Sequence, residues 1–478
     1  EVVVLRLGSI GAQHVTQHVL LPGELLEVLV QPDGPVARGR DLVAFEVQEL
    51  VRRNVFGQDI NHRIDPTYSF GLSWRASEEA FFQKHLKWIT TLNFRGTFGI
   101  QGNALTRESP ELILSQQGVQ PGYNRYFSTI GQIPNPYLSW ERTRNWNFGV
   151  DLELFRMFYM NLEYYTRRSN AVITVDLPFE YGIDDMKRNG GIIYNRGIEY
   201  TLSFTPIQKR DFSLNINLNA SKNWNKGGET KIDRNTAMYL RGGSTQILKE
   251  GYPLSAFWSY SFAGLDGSNG KPMFNYVEVP DEEKSKSIDP TTYLVYSGET
   301  EPYFTGGLGF SFRYKSLSLN TSFSLLLGSK KRLPSPYSDF QGSGSMMPDP
   351  TKNVNRDLLN RWQKPGDEVY TNIPGLPTWP IEIGWTLPNT DSAESAIEMW
   401  EKSDAMVVSG SFLRCRNIGL SWQMKKEWCD KIHAKNLAIN FNMDNIFVIA
   451  SKRFNGFDPE LENSIMPRSF SLGLNIGF

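Results

Sequence analysis

The chain has 478 residues, 50 Lys and Arg against 51 Asp and Glu, 13% aromatic residues, 41 Gly, 26 Pro and two Cys. A net charge of -1 gives no electrostatic case for nucleic acid or for an anionic membrane surface. Cys415 and Cys429 cannot build a disulfide framework, five scattered His make a poor metal set, and no stretch approaches the roughly 18 apolar residues of a membrane helix.

A large β-protein, soluble or in an outer membrane, survives these exclusions. The chain opens without an initiator Met or a signal-type segment and so reads as a processed or partial product. Composition then shifts near residue 54: the first Asn is Asn54, the first Tyr is Tyr68, the first Trp is Trp74 and the first Lys is Lys84. Residues 1–53 are therefore either a small Val-rich leading domain or a segment translated out of frame, and they carry no functional argument. Residues 54–478 are expected to form one β-barrel portion.

From Tyr68 onward apolar and polar residues alternate with a period of two, the mark of strands with one apolar face. In chain order the dyads are Tyr68/Phe70/Leu72/Trp74, Trp146/Phe148/Val150/Leu152, Phe158/Met160/Leu162/Tyr164 and Ile198/Tyr200/Leu202/Phe204. They continue through Phe212/Leu214/Ile216/Leu218, Leu308/Phe310/Phe312, Leu317/Leu319/Phe323/Leu325, Leu437/Ile439/Phe441 and Phe470/Leu472/Leu474/Ile476/Phe478. About 12 to 14 such segments are expected, most near the roughly 9–11 residues that a tilted strand needs to cross a bilayer.

The polar face decides between a soluble sandwich and a membrane barrel. It is rich in Asn, Ser and Gly, which suits a hydrated lumen, and charges are expected to collect in the connections. Trp140, Trp146, Trp224, Trp258, Tyr260 and Trp422 read as interfacial girdle residues. Short connections at Arg156-Met157 and Gln208-Lys209-Arg210 alternate with long ones at 225–250, 265–300 and 329–405, the wiring of outer-membrane barrels. The last strand ends on Phe478 with Phe470, Leu472, Leu474 and Ile476 at alternate positions, which reads as the assembly signal for barrel insertion. The fold class expected is all-β, an antiparallel transmembrane β-barrel.

Several stretches, in order over 54–478, resemble the SusC/RagA family of TonB-dependent outer-membrane transporters of Bacteroidota. They are PTYSFGLSWRASEEAFF (66–82), LNFRGTFGIQGN (92–103), NPYLSWERTRNWNFGVDLELF (135–155), NRGIEYTLSFTPI (195–207), SGSFLRCRNIGLSW (409–422), NLAINFNMDNIFV (436–448) and MPRSFSLGLNIGF (466–478). Thr97 replaces the family's usual Ser and Cys415 its commoner Leu. Read physically, Asn135-Pro136 and Gly102-Asn103 are turn residues, and Gly197, Gly309 and Gly473 sit where a side chain would crowd a neighbour or the wall must bend.

The resemblance implies a barrel of about 22 strands with a plugged lumen, a TonB complex acting through that plug, and a SusD-like surface lipoprotein as a lid. This chain reads as the C-terminal part of such a barrel, with plug and TonB box absent and only about 12–14 strands present. Alone it should give an open sheet or a distorted closure.

No catalytic motif, Walker loop or metal pair appears, so neither an enzyme nor a cofactor is expected. GSNGK (267–271) reads as a loop tip, Asp184-Asp185 as a turn, and Asp281-Glu282-Glu283 and Asp367-Glu368 as solvated loops. Tyr123, Tyr126 and Phe127 could stack on sugar rings, grip a peptide or pack against the lid. In the stretch 359–379, Trp362, Tyr370 and Trp379 are the candidates for substrate or partner contact. The leading expectation is a segment of a cell outer-membrane importer for oligosaccharides or oligopeptides, set in outer-membrane lipid. A passive porin of about 14 strands and a secreted all-β adhesin or structural protein are the alternatives.

Overall fold

The computed structural model describes residues 42–46, 67–103, 111–120, 122–135, 137–177, 179–183, 185–230, 237–241, 248–275, 290–337, 351, 353–376, 395–461 and 464–478. Trp379, Asp184, Pro136, 281–283 and nearly all of 1–53 lie outside the described residues. The chain divides into two compact units, residues 1–233 with 248–251, and residues 234–247 with 252–478.

In the first unit seven antiparallel strands follow one another as β1-β2-β3-β6-β7-β8-β9. They are β1 Leu42–Glu46, β2 Tyr68–Arg75, β3 Ile89–Asn103, β6 Glu141–Leu154, β7 Phe158–Asp176, β8 Asp185–Gln208 and β9 Phe212–Thr230. A separate hairpin, β4 Ile113–Gln120 with β5 Arg125–Gln132, is exposed along its described length.

The alternation seen in the sequence becomes pleat, with one feature that decides the environment. In β2 the apolar residues Tyr68, Phe70, Leu72 and Trp74, and in β6 Trp146 and Phe148, are exposed, while the residues between them are half-buried. A soluble sheet does the reverse, so this face is built for lipid.

Turns at one end are short. Met157 N–H donates to the Leu154 carbonyl across Phe155 and Arg156, both left-handed (φ 53° and 57°) as a type I′ hairpin turn requires. The opposite ends run on, and β8 is 24 residues long, well over twice what a membrane crossing needs.

The second unit contributes five wall strands in the order β14-β15-β18-β19-β20. They are β14 Phe304–Tyr314, β15 Leu317–Leu327, β18 Phe412–Gln423, β19 Asn436–Ile449 and β20 Ser469–Gly477. The two-residue turn Lys315-Ser316 joins β14 to β15 with Lys315 left-handed (φ 53°). Among the described residues, seven wall strands and five make twelve, within the expected range.

The long connections of this unit are folded rather than loose. They hold β10 Ala256–Tyr260 paired with β13 Leu294–Glu299, β11 Phe262–Leu265 with β12 Pro272–Phe274, and β16 Lys330–Arg332 with β17 Val407–Ser409. Two short helices, α2 Ala237–Leu240 and α3 Ala396–Glu401, complete them; α1 Ala80–His85 and α4 Lys426–Lys431 lie in shorter connections. Ser395 and Glu398 form a capping box at α3.

Aromatics mark the short-turn end of each unit. In the first, Trp74 stacks on Phe94 at 5.7 Å and Trp88 on Phe155 at 5.7 Å; in the second, Trp422 meets Trp428 edge-on at 5.9 Å. Exposed Trp146, Trp224 and Trp422 fit a girdle. Trp258 and Tyr260 do not: all five residues of β10 are buried, in the connections' own core. Trp140 is also buried, under Gly102, where an added Cβ would sit 2.9 Å from its ring. Gly102 and Asn103 thus close β3 as strand residues rather than forming a left-handed turn.

Candidate functional site

Three groups of side chains stand out, each built within one unit. The first lies on the polar face of β3, β6 and β7. Odd-numbered residues share that face, and the register sets Arg95 opposite Gly149 and beside Asp151 and Glu163. Arg95 Nε lies 3.0 Å from Asp151 Oδ2 and Nη2 lies 2.9 Å from Glu163 Oε1. Asn161 and Asn93 donate to Asp151 at 2.7 and 3.0 Å, and Thr91 donates to Glu153 at 3.0 Å. The strands therefore carry charge as well as Asn and Ser, contrary to the expectation that charges would sit in connections. The signal was present in the shared parity of 93/95, 151/153 and 161/163 on adjacent strands.

Gly197 belongs to the same face. An added Cβ would lie 2.5 Å from the Tyr165 ring, which crosses β8 so that its hydroxyl donates to Asn223 at 3.1 Å. Gly473, by contrast, has no neighbour closer than 3.9 Å, so crowding does not explain it.

Asn135 is both a turn former and a tie. Its Oδ1 accepts from Tyr137 N–H at 3.2 Å, while its Nδ2 donates to the Lys187 carbonyl on β8 at 2.7 Å.

The second group anchors the connection between β19 and β20. A β-bulge at Arg416 lets consecutive residues of β18 address the polar side. Arg414 Nη2 donates to both Asp458 oxygens at 2.7 Å, with Glu460 Oε2 at 2.9 Å; its side chain is 2% exposed and that of Asp458 is 5%. Arg416 reaches Ser324 Oγ (2.9 Å) and Glu460 Oε1 (3.2 Å). The next polar residue, Asn417, donates to Asp444, which also accepts from Ser469 on β20, both at 2.8 Å. Sequence reading singled out this Arg-x-Arg-Asn segment without its role, because the carboxylate partners of its two arginines lie 44 residues away.

The third group is the folded core of the long connections. Trp258, Tyr260, Leu240, Leu294 and Met399 form one cluster, and Tyr337, Leu358, Trp400 and Met406 another. Buried Trp400 donates its indole N–H to the Asn372 carbonyl at 2.8 Å, and Tyr337 OH donates to the Pro374 carbonyl. Burial pushes the Tyr337 phenol up. Arg332 donates to the Arg241 and Trp258 carbonyls (2.8 and 2.6 Å); burial, then the Arg241 charge, push it down to about 10, still protonated at neutral pH. Arg453 donates to the Ala405 and Val407 carbonyls, and Asn455 to Asp357, tying the β19–β20 connection to this core.

On this core sits the segment 353–376. Trp362 is half-buried, donates to Glu368 Oε2 at 3.1 Å, and lies under Gly270 and Gly375, where added Cβ atoms would come within 2.4 and 2.9 Å of its ring. It shapes the segment and is not an open stacking platform. The backbone N–H groups of Glu368 and Gly366, together with the Trp362 indole, hold the Glu368 carboxyl below its usual range. Asp367 accepts from the backbone of Gln363 and Lys364, so this acidic pair spends its oxygens on the loop.

Tyr370 is 89% exposed, and Val369 and Leu359 of the same segment are exposed too. A shallow concavity of about 310 Å³ in this segment is lined by Val354, Leu358, Leu359 and Leu376, with Arg356 and Arg361. Tyr123, Tyr126 and Phe127 are exposed on the β4–β5 hairpin of the other unit, and GSNGK is the tip of the β11–β12 hairpin.

An exposed apolar strand face, a polar inner network and folded long connections at one end define a wall of an outer-membrane β-barrel. No family model matches the chain. It is similar to TonB-dependent receptor P3 of Formosa agariphila (23% identical over 456 residues, 86% of this chain and 41% of that protein). It is also similar to TonB-dependent receptor SusC of Bacteroides thetaiotaomicron (24% over 442 residues, 86% and 40%). Among solved structures the RagAB peptide transporter aligns with a TM-score of 0.66 at 21% identity, covering 88% of this chain and 44% of that one. In sequence and fold the chain is similar to the SusC/RagA-like TonB-dependent receptors, and its place is the outer membrane. It spans about two fifths of the length of the curated relatives it matches.

Proposed function

We propose that this chain is part of a TonB-dependent importer that takes up oligosaccharides or oligopeptides with a SusD-like lipoprotein. The observation that carries the reading is the folded core of the long connections, which carries a segment with Leu359, Val369 and Tyr370 exposed. A passive pore has no need of connections with a buried Trp and Tyr core, whereas ligand capture needs groups held in place. Energy would come from the TonB complex acting on a plug, and the Arg95 network would line the lumen around it.

Uptake is tested by comparing labelled oligosaccharide and oligopeptide pools in cells with and without the gene, with and without a protonophore. Gene-dependent, protonophore-sensitive uptake of one pool is expected. Steady ion conductance of the purified protein in a planar bilayer, with uptake indifferent to the protonophore, would replace this reading with the porin.

A further inference from the structure

We propose that the lipid-side face of the first unit carries a binding row for a phosphorylated lipid headgroup of the outer leaflet. The register aligns even-numbered residues of β6, β7, β8 and β9 into rows across the sheet. At the short-turn end the row is Leu154–Phe158–Phe204–Ile216, and the next three rows hold a single charge, Lys222. Then follows Trp146–Thr166–Arg196–Trp224, and above it Arg144–Arg168–Tyr194–Lys226.

The height of that upper row matches a membrane boundary. From Leu154 to Arg144 is about 33 Å along a strand, or about 25 Å along the bilayer normal at a tilt of about 40°, which is the depth of the apolar band of such barrels.

Its charge has no protein answer. Arg144 stands directly opposite Arg168, an arrangement that destabilises a sheet unless an anion lies between. Among the described residues Arg144, Arg168, Arg196 and Lys226 form no ion pair. The acids of this span, Asp151, Glu153, Glu163 and Glu199, occupy odd positions and so face the other side. Rings hold the guanidiniums in place: Arg168 lies 5.9 Å from the Tyr194 centroid and Arg196 5.8 Å from that of Trp224.

Guanidinium forks in that setting fit phosphate. A lipid is the occupant because the cations sit directly above apolar rows that acyl chains must cover, so headgroup and chains are met together. The near-zero net charge of the chain conceals the row, since the acids of this span all lie on the opposite face. The inference rests on the membrane reading of the wall and stands whether or not the ligand proposal does.

The test uses the full chain extracted from outer membranes into detergent. Bound lipid is measured by native mass spectrometry during titration with a lipid bearing a phosphorylated disaccharide headgroup, with the same lipid stripped of phosphate, and with inorganic phosphate. The phosphorylated lipid is expected to bind about tenfold or more tightly than its stripped form. The combined Arg144→Gln, Arg168→Gln and Arg196→Gln variant should lose that margin, and Arg167→Gln, on the polar face, should keep it.

Equal binding of the two lipids, or an unchanged margin in the combined variant, overturns the proposal. So does displacement of the lipid by an equal concentration of inorganic phosphate, which marks a free-anion site. Loss of a co-purifying acidic protein with lipid binding intact would make the row a protein contact and overturn it too. If the combined variant fails to fold, the lipid comparison on the unaltered chain and on Arg168→Gln decides.

Discussion

Arg414→Met is the most informative single change in the wall. The guanidinium is almost fully buried, meets both oxygens of a buried Asp458 at 2.7 Å and has Glu460 at 2.9 Å. Removing it leaves a desolvated carboxylate with nothing to balance it, and breaking such a pair costs about 3–5 kcal/mol. Asp458→Asn should cost less, about 1–3 kcal/mol, because Arg414 keeps Glu460. The assay is urea unfolding of the intact protein in detergent, with hydrogen exchange over 457–461 as the local readout. Arg414→Met should lower the midpoint at unchanged m-value and expose those amides. An unchanged midpoint, or a greater loss from Asp458→Asn than from Arg414→Met, refutes the clamp.

Four further outcomes are expected. Gly197→Ala should destabilise by about 1–3 kcal/mol through the Tyr165 ring, and the double change with Tyr165→Ala should recover part of the loss in a thermal melt. Burial chiefly, then the Glu398 charge, raise the Glu401 carboxyl. Its cost is therefore absent below the unfolded carboxyl range and complete above the raised folded value. Glu401→Gln should protect α3 from hydrogen exchange at neutral pH and lose that advantage in acid. Tyr370→Ala should leave stability within about 0.5 kcal/mol while weakening ligand or lipoprotein binding by surface plasmon resonance; unchanged binding removes Tyr370 from the site. Removing Phe478 should lower the heat-modifiable, folded fraction in outer membranes, and normal assembly would show that Phe470, Leu472, Leu474, Ile476 and Phe478 are an ordinary last strand.

The wall was legible because lipid and lumen impose opposite demands on alternate residues, as in β6 and β7, and because the polar positions carry the Asn, Ser and Gly of a hydrated lumen. The connections were not. β10 is apolar and aromatic with every residue buried, so it has no alternation to read, and Trp258 and Tyr260 looked like a girdle when they are a core. Trp362 was read as a candidate contact residue, and its packing under Gly270 and hydrogen bond to Glu368 had no sequence signal because they depend on how the loops fold together. The roles of Arg95 and Arg414 were not legible because their partners Asp151 and Asp458 are 56 and 44 residues distant, a separation that only the folded chain closes.

The length of β8 has a consequence outside the membrane. About ten of its 24 residues suffice to cross the bilayer, so the stretch from Asp185 toward Asn195 stands above it as hydrogen-bonded sheet, paired with β7 on one side and, from Gly191 onward, with β9 on the other. What the cell presents to its surroundings there is a rigid palisade with a fixed array of side chains. An antibody or phage fibre that grips it would read a shape, and its binding should vanish when the protein is boiled, even though every residue of the epitope is still present.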